Sequence, residues 1–259
     1  MPKIGSVSVE ERKERILELL QAEGKVRCAE LSRLFSISEV SVRNTLSAME
    51  QEGLVERTHG GAVLASAVKG DRHYLERKGR YTEEKRRIAK QIAGMIQSGE
   101  TLFVNSGTTT FFVVEELQKL SALTIVTNSI PMAMEFSDHP NFNIILLGGN
   151  IDLTHSFTYG DDALAQLRKY RADKLILSID GISLEKGLTT YYFQEVAINK
   201  MMMERVERNI VAADFSKIGA ESFSYVTDIS QVDCLVTNAS ANTGELQKLR
   251  DAGIEICLA

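Results

Sequence analysis

Apolar residues recur at helical spacing in three short stretches near the start of the chain, which predicts three helices. The apolar positions of these helices are, in order, Ile16, Leu17 and Leu20; Leu31, Leu34 and Phe35; and Val42, Leu46 and Met49. Ser8 can cap the first helix and Gly24 ends it, while Ser38 can cap the third, which runs from Glu39 to about Glu52. The third helix then has a polar outer face formed by Ser41, Arg43, Asn44 and Ser47.

The next segment, residues 54–63, alternates in polarity and turns at the pair Gly60-Gly61, so it predicts a two-stranded hairpin. Three helices followed by such a hairpin fit a winged helix-turn-helix, whose third helix offers short polar side chains and one guanidinium to a major groove. A simple helical packing module fits the same periodicity. The apolar pattern therefore leaves both interpretations open.

From Ile88 onward, short apolar runs alternate with helical patterns, which is typical of a largely parallel sheet flanked by helices. The predicted strands are 101–105, 123–128, 142–148, 174–179, 209–214, 234–238 and 254–258. The predicted helices are 85–97, 110–119, 131–136, 161–169, 195–207 and 243–251. This pattern predicts an α/β fold, in which ligands bind at the carboxyl ends of the strands. We expect a winged-helix domain over 1–63 with its helix-turn-helix at about 26–45, a linker over 64–87, and an effector domain over 88–259.

The composition is that of a globular chain, with 259 residues, 44% hydrophobic residues, 25% charged residues and only 3 prolines. Its apolar runs stay far below the roughly 18 residues that a membrane span needs, and the first residues lack the apolar core of a signal peptide. We therefore expect a cytoplasmic protein with no membrane partner.

Charge is distributed unevenly along the chain, although the net charge is only −5. Residues 1–90 hold 18 Lys and Arg against 14 Asp and Glu, which leaves 12 against 21 for the rest. The stretch from Lys25 to Arg57 has five residues of each sign, so one copy has little excess charge for DNA phosphates. We expect a homodimer or homotetramer, because assembly multiplies the phosphate contacts. The basic stretch from Lys69 to Arg87 is either a solvated helix face or a contact for DNA or a partner.

The three cysteines, Cys28, Cys234 and Cys257, form no C-x-x-C pair and are odd in number. This spacing predicts neither a disulfide framework nor a zinc site. We expect all three to be buried structural thiols, and we expect no metal and no cofactor.

Residues 105–110, with the sequence Asn-Ser-Gly-Thr-Thr-Thr, follow a predicted strand and open a predicted helix. Hydroxyls and backbone N–H groups at a helix N-terminus form an anion cradle, and an ordinary hydroxyl-capped turn is the other interpretation. The loop is neither G-x-G-x-x-G nor a P-loop, so neither a dinucleotide nor ATP is expected.

Polar residues at the other predicted strand ends should meet at the same edge of the sheet. These are Thr127-Asn128-Ser129, Gly148-Gly149-Asn150, Asp180-Gly181, and Asp214 with Ser216-Lys217. The Asp214 carboxylate can accept hydrogens from sugar hydroxyls, beside the Lys217 ammonium for a phosphate. Glu195 and Lys200 lie on one predicted helix at a spacing that is poor for an intrahelical pair, so each should have another partner. His155 has no second histidine nearby, and we expect its side chain to face solvent.

Residues 8–63 resemble the winged helix-turn-helix of the DeoR family of bacterial transcription regulators. The residues that carry the resemblance are Glu30-Leu31, Phe35, Ile37-Ser38, Ser41 to Leu46, Met49-Glu50, Gly53-Leu54, Arg57 and His59-Gly60-Gly61-Ala62. The DNA-binding residues that the resemblance implies are Ser38, Ser41, Val42, Arg43, Asn44, Arg57, His59 and Gly60. Where the family usually has Arg-Asp, this chain has Asn44-Thr45, so the base sequence it reads should differ from that of a typical member.

Residues 85–238 resemble the sensor domain of the same family, whose fold is related to that of ribose-5-phosphate isomerase. The matching strings are Ser106 to Thr110, Val126 to Ser129, Leu147 to Gly149, Asp180 to Ile182, Gly187 to Thr189 and Asp214 to Gly219. The residues that would hold the phosphate of a phosphorylated sugar or sugar metabolite are Ser106, Gly107, Thr108, Thr109 and Thr110. The other effector-binding residues that the resemblance implies are Asn128, Gly148, Asp180, Gly181, Glu195, Lys200, Asp214 and Lys217.

Together these features predict a transcriptional regulator, expected to repress a carbohydrate-metabolism operon, whose affinity for double-stranded operator DNA depends on a phosphorylated sugar. An isomerase-like enzyme is the alternative, because Asp180, Glu195 and Lys200 can in principle move a proton between adjacent sugar carbons. The front domain argues against that alternative, since an isomerase has no use for a DNA reader. We therefore expect no catalytic residue.

Overall fold

The computed structural model describes residues 9–23, 25–51, 54–58, 60–64, 74–153 and 155–259. Contacts divide the chain into two compact units, Met1–Arg77 and Lys78–Ala259. Each unit has its own hydrophobic core.

Between residues 9 and 64, the described part of the first unit contains three helices and a small antiparallel sheet. Its elements are the helices α1 (Val9–Glu23), α2 (Cys28–Phe35) and α3 (Glu39–Gln51), and the strands β1 (Lys25–Arg27), β2 (Val55–Thr58) and β3 (Gly61–Leu64). The strand order is β1-β3-β2, so β2 and β3 form the predicted hairpin, and β1 is an addition that the sequence pattern did not reveal. Ser8, Gly24 and Glu52, which the sequence places at helix ends, lie outside the described residues.

The apolar stripes of the three helices meet in the core of this unit. Ile16 on α1 and both Val42 and Met49 on α3 are 0% exposed, and Leu31 on α2 is 1% exposed. Burial of such a side chain contributes about 1.5–3 kcal/mol, and it stabilises helices that would be marginal in isolation. The wing turn depends on Gly61, because an added Cβ there would lie 1.8 Å from the Val26 carbonyl oxygen on β1.

The second unit is built on a seven-stranded parallel sheet. Its strands are β4 (Thr101–Val104), β5 (Leu123–Thr127), β6 (Phe142–Leu146), β9 (Ala172–Ser178), β12 (Val206–Ala212), β14 (Cys234–Thr237) and β15 (Glu255–Leu258). They lie in the order β15-β14-β12-β9-β4-β5-β6, and every adjacent pair is parallel. Each strand predicted from the apolar runs is present in this sheet, which confirms the predicted α/β fold.

In the part of the chain that the structure describes, the helices after α3 are α4 (Tyr74–Gly79), α5 (Thr82–Ala93), α6 (Thr108–Glu116), α7 (Ile130–Phe136), α8 (Asp161–Leu167), α9 (Phe193–Met203) and α10 (Thr243–Asp251). Short 3-10 helices cover Leu117–Lys119, Phe215–Lys217 and Ile229–Gln231. Helix α9 ends before the predicted Glu207, because Val206 already pairs with Ala172 in the sheet. Within the described ranges, no helix is both long and apolar enough to cross a membrane.

Two small antiparallel sheets accompany the parallel sheet, and the sequence pattern predicted neither. One is a hairpin of β7 (Asn150–Asp152) and β8 (Phe157–Tyr159). The other has three strands, β10 (Gly181–Ser183), β11 (Gly187–Thr190) and β13 (Ser224–Thr227). Strands this short do not show enough alternation to be recognised in the sequence.

The cysteines differ in their environments. Cys28 and Cys234 are buried as expected, whereas Cys257 is partly exposed on β15. The expectation of three buried thiols was wrong for Cys257, because β15 is the last strand of the sheet and has a neighbour on one side only. Burial raises the pKa of the Cys234 thiol to about 12, so at neutral pH this thiol carries no charge and packs as an apolar group.

Candidate functional site

The exposed face of α3 carries short polar side chains and one guanidinium. Arg43 and Asn44 are exposed, and Ser41 is half-buried. Ser38 caps the helix as predicted, since its Oγ accepts a hydrogen bond from the Ser41 backbone N–H at 3.1 Å. Arg43 forms an exposed ion pair with Glu39 at 3.1 Å. Such a pair stabilises a helix by only about 0.3–0.5 kcal/mol, so DNA can displace it at little cost.

Two residues of α3 differ from their expected roles. Val42, which the family resemblance places at the DNA interface, is fully buried in the core, so it anchors the helix and cannot reach a base. Thr45 is also buried; its Oγ1 donates to the Ser41 carbonyl oxygen at 3.1 Å and accepts from Arg12 Nη1 at 3.3 Å. Only Asn44 of the unusual Asn44-Thr45 pair is therefore exposed, while Thr45 links α3 to α1.

Arg57, on β2, lies beside α3. Its Nη1 donates to Ser47 Oγ at 2.9 Å, and its backbone N–H donates to Glu50 Oε1 at 3.0 Å. Arg57 and Gly60 are both exposed, so the wing continues the polar surface of α3. His59, also assigned to the DNA interface, lies outside the described residues.

In the second unit, the strand order of the parallel sheet reverses between β4 and β9. Strands β5 and β6 follow β4 on one side, whereas β12, β14 and β15 follow β9 on the other. Connections at such a switch point leave the sheet in opposite directions and open a crevice at the carboxyl ends of the strands. Residues 105–107, after β4, and Asp180, after β9, lie at this position.

The loop after β4 leads directly into the N-terminus of α6. Gly107 occupies the N-cap position, and no side chain among the described residues caps the helix, so its first backbone N–H groups can bind an anion. An added Cβ at Gly107 would lie 2.1 Å from Ser178 Cβ, which explains the glycine. Thr110 Oγ1 donates to the Gly107 carbonyl oxygen at 2.7 Å, and Thr108 and Thr109 are buried.

Asn105, which follows β4, forms hydrogen bonds to the backbone of Ser178 on β9. Its Nδ2 donates to the Ser178 carbonyl oxygen at 2.9 Å, and its Oδ1 accepts from the Ser178 backbone N–H at 2.9 Å. The same Nδ2 lies 3.3 Å from Asn199 Oδ1 on α9. Asn105 belongs to the predicted loop 105–110 but was not assigned an effector contact, and Asn199 was not predicted as a site residue. The position of Asn105 directly after a strand was an available signal, whereas Asn199 had none.

A buried polar cluster lies beside this loop. The Ser106 hydroxyl donates to Glu195 Oε1 on α9, and Asn128 Nδ2 approaches the same oxygen at 3.4 Å. All three side chains are buried, with Asn128 at 0% exposure. Asn128 Oδ1 has no hydrogen-bond partner among the described residues. A buried amide oxygen left unsatisfied costs about 1–3 kcal/mol, so this position is suited to a donor group of a ligand.

Asp180 and Lys217 form an ion pair at the same edge of the sheet. Lys217 Nζ lies 3.7 Å from Asp180 Oδ1, and Asp180 Oδ2 accepts from Thr190 Oγ1 at 3.1 Å. The Asp214 carboxylate accepts from the Ser216 backbone N–H at 3.0 Å and caps the following 3-10 helix. The structure therefore pairs Lys217 with Asp180, and Asp214 has a local structural contact.

Two predicted glycines also have structural contacts. The Gly148 backbone N–H donates to Gln166 Oε1 at 3.1 Å. Gly181 is buried and pairs with Thr189 in the small sheet. The effector-binding role of both glycines stays a prediction.

Lys200 lies apart from the buried cluster of Ser106, Asn128 and Glu195. It is exposed, whereas Glu195 on the same helix is buried. A spacing of five residues turns a helix by about 140° beyond a full turn, so the two side chains leave α9 on different sides. Asn199, rather than Lys200, is the residue of this turn that contacts the switch point.

His155 contradicts the expectation of a solvent-facing side chain. The side chain is only 13% exposed, and its Nδ1 lies 3.0 Å from Asp152 Oδ1. Its ring centroid lies 4.0 Å from that of Tyr192, and its Nε2 is buried without a partner among the described residues. The expectation was wrong because the hairpin of β7 and β8, which the sequence did not reveal, folds the loop inward.

A second cleft, of about 570 Å³, opens at the opposite, amino end of the parallel sheet. It is lined by Ser98, Gly99, Glu100, Asp173, Lys174, Glu207 and Arg208. Its Lys174 and Arg208 cations already pair with the carboxylates of Glu100 and Glu255. This pairing leaves little positive charge for an anionic ligand, so the carboxyl end of the sheet is the better candidate.

The two units thus define a DNA-binding transcription regulator, with a winged helix-turn-helix and an α/β sensor unit. Residues 12–68 match the DeoR-like helix-turn-helix domain, and residues 80–239 match the DeoR C terminal sensor domain. The chain belongs to the DeoR family of transcription regulators.

Relatives of known description match nearly the whole chain. The chain is 34% identical to the glycerol-3-phosphate regulon repressor of Escherichia coli (strain K12), over 95% of this chain and 97% of that protein. It is 32% identical to the HTH-type transcriptional regulator GolR of Listeria innocua, over 96% and 98% of the two chains. It is 31% identical to a putative aga operon transcriptional repressor of Escherichia coli O157:H7, over 96% and 93%. Among solved structures, ribose 5-phosphate isomerase from Plasmodium falciparum is similar over 51% of each chain, with 18% identity and a TM-score of 0.38.

Proposed function

We propose that this regulator represses an operon of carbohydrate metabolism, and that a phosphorylated sugar or sugar metabolite controls its affinity for double-stranded operator DNA. Two of the relatives above are named as repressors, one of the glycerol-3-phosphate regulon and one of the aga operon. Their similarity over nearly the full chain supports the same type of function here. A role on chromosomal DNA also supports a cytoplasmic location.

The observation that carries the effector proposal is the buried cluster of Ser106, Asn128 and Glu195 beside the uncapped start of α6. A phosphate would accept hydrogen bonds from the backbone N–H groups at the start of α6. A sugar hydroxyl would donate to Asn128 Oδ1, which lacks a donor among the described residues. Asp180 and Lys217, at the same sheet edge, would add a carboxylate for hydroxyls and an ammonium for the phosphate.

The contact between Ser106 and Glu195 determines how such a ligand is oriented. The Ser106 hydroxyl donates to the Glu195 carboxylate, and a phosphate placed beside that carboxylate would be repelled. We therefore expect the phosphate toward the backbone of Thr108 and Thr109, and the sugar hydroxyls toward Glu195. With a sugar hydroxyl donating to Glu195 in its place, the Ser106 hydroxyl would rotate and donate to the phosphate.

The enzyme alternative has less support. Proton transfer between sugar carbons would require Asp180, Glu195 and Lys200 around one ligand, and Lys200 is exposed on a different side of α9 from Glu195. The relatives described above are named as regulators and repressors. We propose no catalytic residue.

Thermal-shift measurements with a panel of sugars, each with and without a phosphate, test the effector proposal. A ligand at 100 times its Kd stabilises the folded protein by about 2.7 kcal/mol, and each kcal/mol raises the Tm of a unit of this size by about 2–4 °C. We expect at least one phosphorylated member to raise the Tm and its unphosphorylated counterpart to have no effect. Equal stabilisation by the two forms of each sugar would contradict phosphate recognition.

We propose that the protein acts as a homo-oligomer, dimer or tetramer. Aromatic side chains around the small sheet of β10, β11 and β13 are exposed, among them Phe193 at 64% and Phe223 at 77%. A patch of several exposed apolar side chains, unlike a single one, is characteristic of an interface with another protein. We expect light scattering to give a dimer or tetramer at micromolar concentration and Phe223→Ser to shift it toward monomer. A monomer that still binds a two-half-site operator tightly would contradict the proposal.

Arg43 is proposed to read a base from the exposed face of α3. Arg43→Ala should cost about 1–3 kcal/mol of specific operator binding, if the guanidinium forms a bidentate pair with guanine. Arg43→Lys is the matched control, because it keeps the charge but not the bidentate geometry. We expect it to lose specific binding while it retains affinity for random DNA. If folded Arg43→Ala protein binds the operator with unchanged affinity in a gel-shift titration, Arg43 does not contact a base.

Arg57 is proposed to contact phosphate or the minor groove from the wing. Its removal should weaken binding to operator and random DNA alike and reduce the salt slope of log K by about 1. Ser47→Ala removes the side-chain partner of Arg57 but not its charge, so we expect that variant to keep the slope. A loss confined to the operator would instead assign Arg57 to base reading.

A further inference from the structure

Two cysteines far apart in the sequence meet on neighbouring strands at the edge of the parallel sheet. Cys234 begins β14, and Cys257 on β15 pairs with Val236, two residues further along β14. Residues two apart on a strand point to the same face of the sheet, and the two sulfur atoms are 3.9 Å apart. Glu255 pairs directly with Cys234, and its Oε1 lies 3.6 Å from Cys257 Sγ. Three side chains with metal-ligand chemistry therefore converge on one face.

These separations match those between the ligands of a tetrahedral zinc ion. With Zn–S bonds of about 2.3 Å and a Zn–O bond of about 2.1 Å, tetrahedral angles place two sulfurs about 3.8 Å apart and a sulfur and an oxygen about 3.6 Å apart. The observed distances are 3.9 Å and 3.6 Å. The three donor atoms all lie within 4.8 Å of one another, so one ion can reach them with little movement of the backbone. Two sulfurs in van der Waals contact can have a similar spacing, and the adjacent carboxylate oxygen is what distinguishes this cluster from ordinary packing.

The cluster is accessible from one side. Cys234 is buried, Cys257 is half-buried and Glu255 is exposed, so an ion can enter from the sheet edge and a water molecule can complete its coordination. The other carboxylate oxygen of Glu255 pairs with Arg208. Such a contact from outside the ligand set orients a ligating side chain, although the Arg208 charge itself opposes a cation.

We propose that Cys234, Glu255 and Cys257 bind a thiophilic divalent cation such as zinc, with water as the fourth ligand. On binding, each thiol releases its proton to solvent and the two thiolates become ligands. The ion would hold the edge strand β15 against β14. Strand β12 separates this site from β9 at the switch point, so the proposal does not depend on the effector site. The 23-residue separation of the cysteines explains why the sequence predicted no metal.

Titration of the reduced, metal-free, full-length protein with cobalt(II) and then zinc(II) tests the site. We expect one cobalt ion per chain, with the near-ultraviolet absorption of thiolate-to-cobalt charge transfer, and displacement of cobalt by zinc. Zinc should raise the Tm in the same stoichiometric range. Glu255→Gln should weaken zinc binding at least 10-fold in competition with a chelating dye.

Cys257→Ser is the decisive variant, because its position on the edge strand is half-buried and the substitution should not disturb folding. We expect it to lose the charge-transfer absorption, whereas Cys28→Ala, which removes the cysteine of the first unit, should keep it. Absence of the absorption in the folded, reduced protein, or its persistence in Cys257→Ser, would overturn the proposal. A third outcome would also overturn the proposal. If the reduced protein binds no metal and loses two titratable thiols on exposure to air, the two cysteines form a disulfide instead of a metal site.

Discussion

Replacing Gly107 with alanine should destabilise the sensor unit by about 1–3 kcal/mol or more, the usual cost of overpacking a rigid interior. The added methyl group would lie 2.1 Å from Ser178 Cβ and 2.7 Å from Ser178 Oγ, where no room exists. Ser178 cannot move aside freely, because two hydrogen bonds tie its backbone to Asn105. For a unit of this size, each kcal/mol corresponds to a Tm lower by about 2–4 °C. Chemical and thermal denaturation of the purified variant measure the effect.

Gly148→Ala is the matched control for that substitution. The nearest atom to an added Cβ at Gly148 is Gln166 Nε2, at 3.1 Å, and the end of a flexible side chain can move. We expect this variant to lose well under 1 kcal/mol, within the usual range of a surface change. Equal stability of the Gly107 and Gly148 variants would mean that the loop after β4 does not pack against β9 as described.

Much of the fold could be predicted from the sequence because its signals are local. Helix α2 (Cys28–Phe35) contains the predicted apolar positions Leu31, Leu34 and Phe35, and Ser38 caps α3 as predicted. Strands β4, β5 and β14 are buried along almost their whole length, so each is a short, mostly apolar run that stands out from the helices around it. The strands of the small sheets have three or four residues and include Gly181 and Gly187, so they show no such run.

The candidate site could be predicted only in part, because its contacts depend on distant residues. The loop 105–110 was found because a strand, a small polar loop and a helix follow one another directly. The contact of Asn105 with Asn199 spans 94 residues, and no local pattern indicates it. Lys200 and Asn199 differ by about 100° around α9, so the rotation of that helix against the sheet decides which of them reaches the switch point. The sequence does not determine that rotation.

A bound sugar phosphate should lower the operator affinity of the protein by about 5- to 150-fold, which corresponds to a coupling free energy of about 1–3 kcal/mol. Ser106→Ala should shift this response to about 10- to 100-fold higher effector concentration, because a hydrogen bond to a charged group contributes about 1.5–3 kcal/mol. Operator affinity without effector should not change, since the lost hydroxyl belongs to the sensor unit. Bulky acidic residues at Thr108 and Thr109 would test the same loop less cleanly, because both side chains are buried and the fold itself would be disturbed.

Ser98→Ala is the matched control, because Ser98 lines the second cleft at the amino end of the sheet. If the effector binds at the switch point, Ser98→Ala should respond at the wild-type effector concentration while Ser106→Ala does not. The opposite result would place the effector in the second cleft, despite its paired charges. Thermodynamic linkage gives an independent check on either outcome. If the effector lowers the affinity for operator DNA by some factor, operator DNA must lower the affinity for the effector by the same factor. Calorimetric titration of the effector with and without saturating operator measures that factor, and a factor of one would mean that ligand binding and DNA binding are not coupled in this protein.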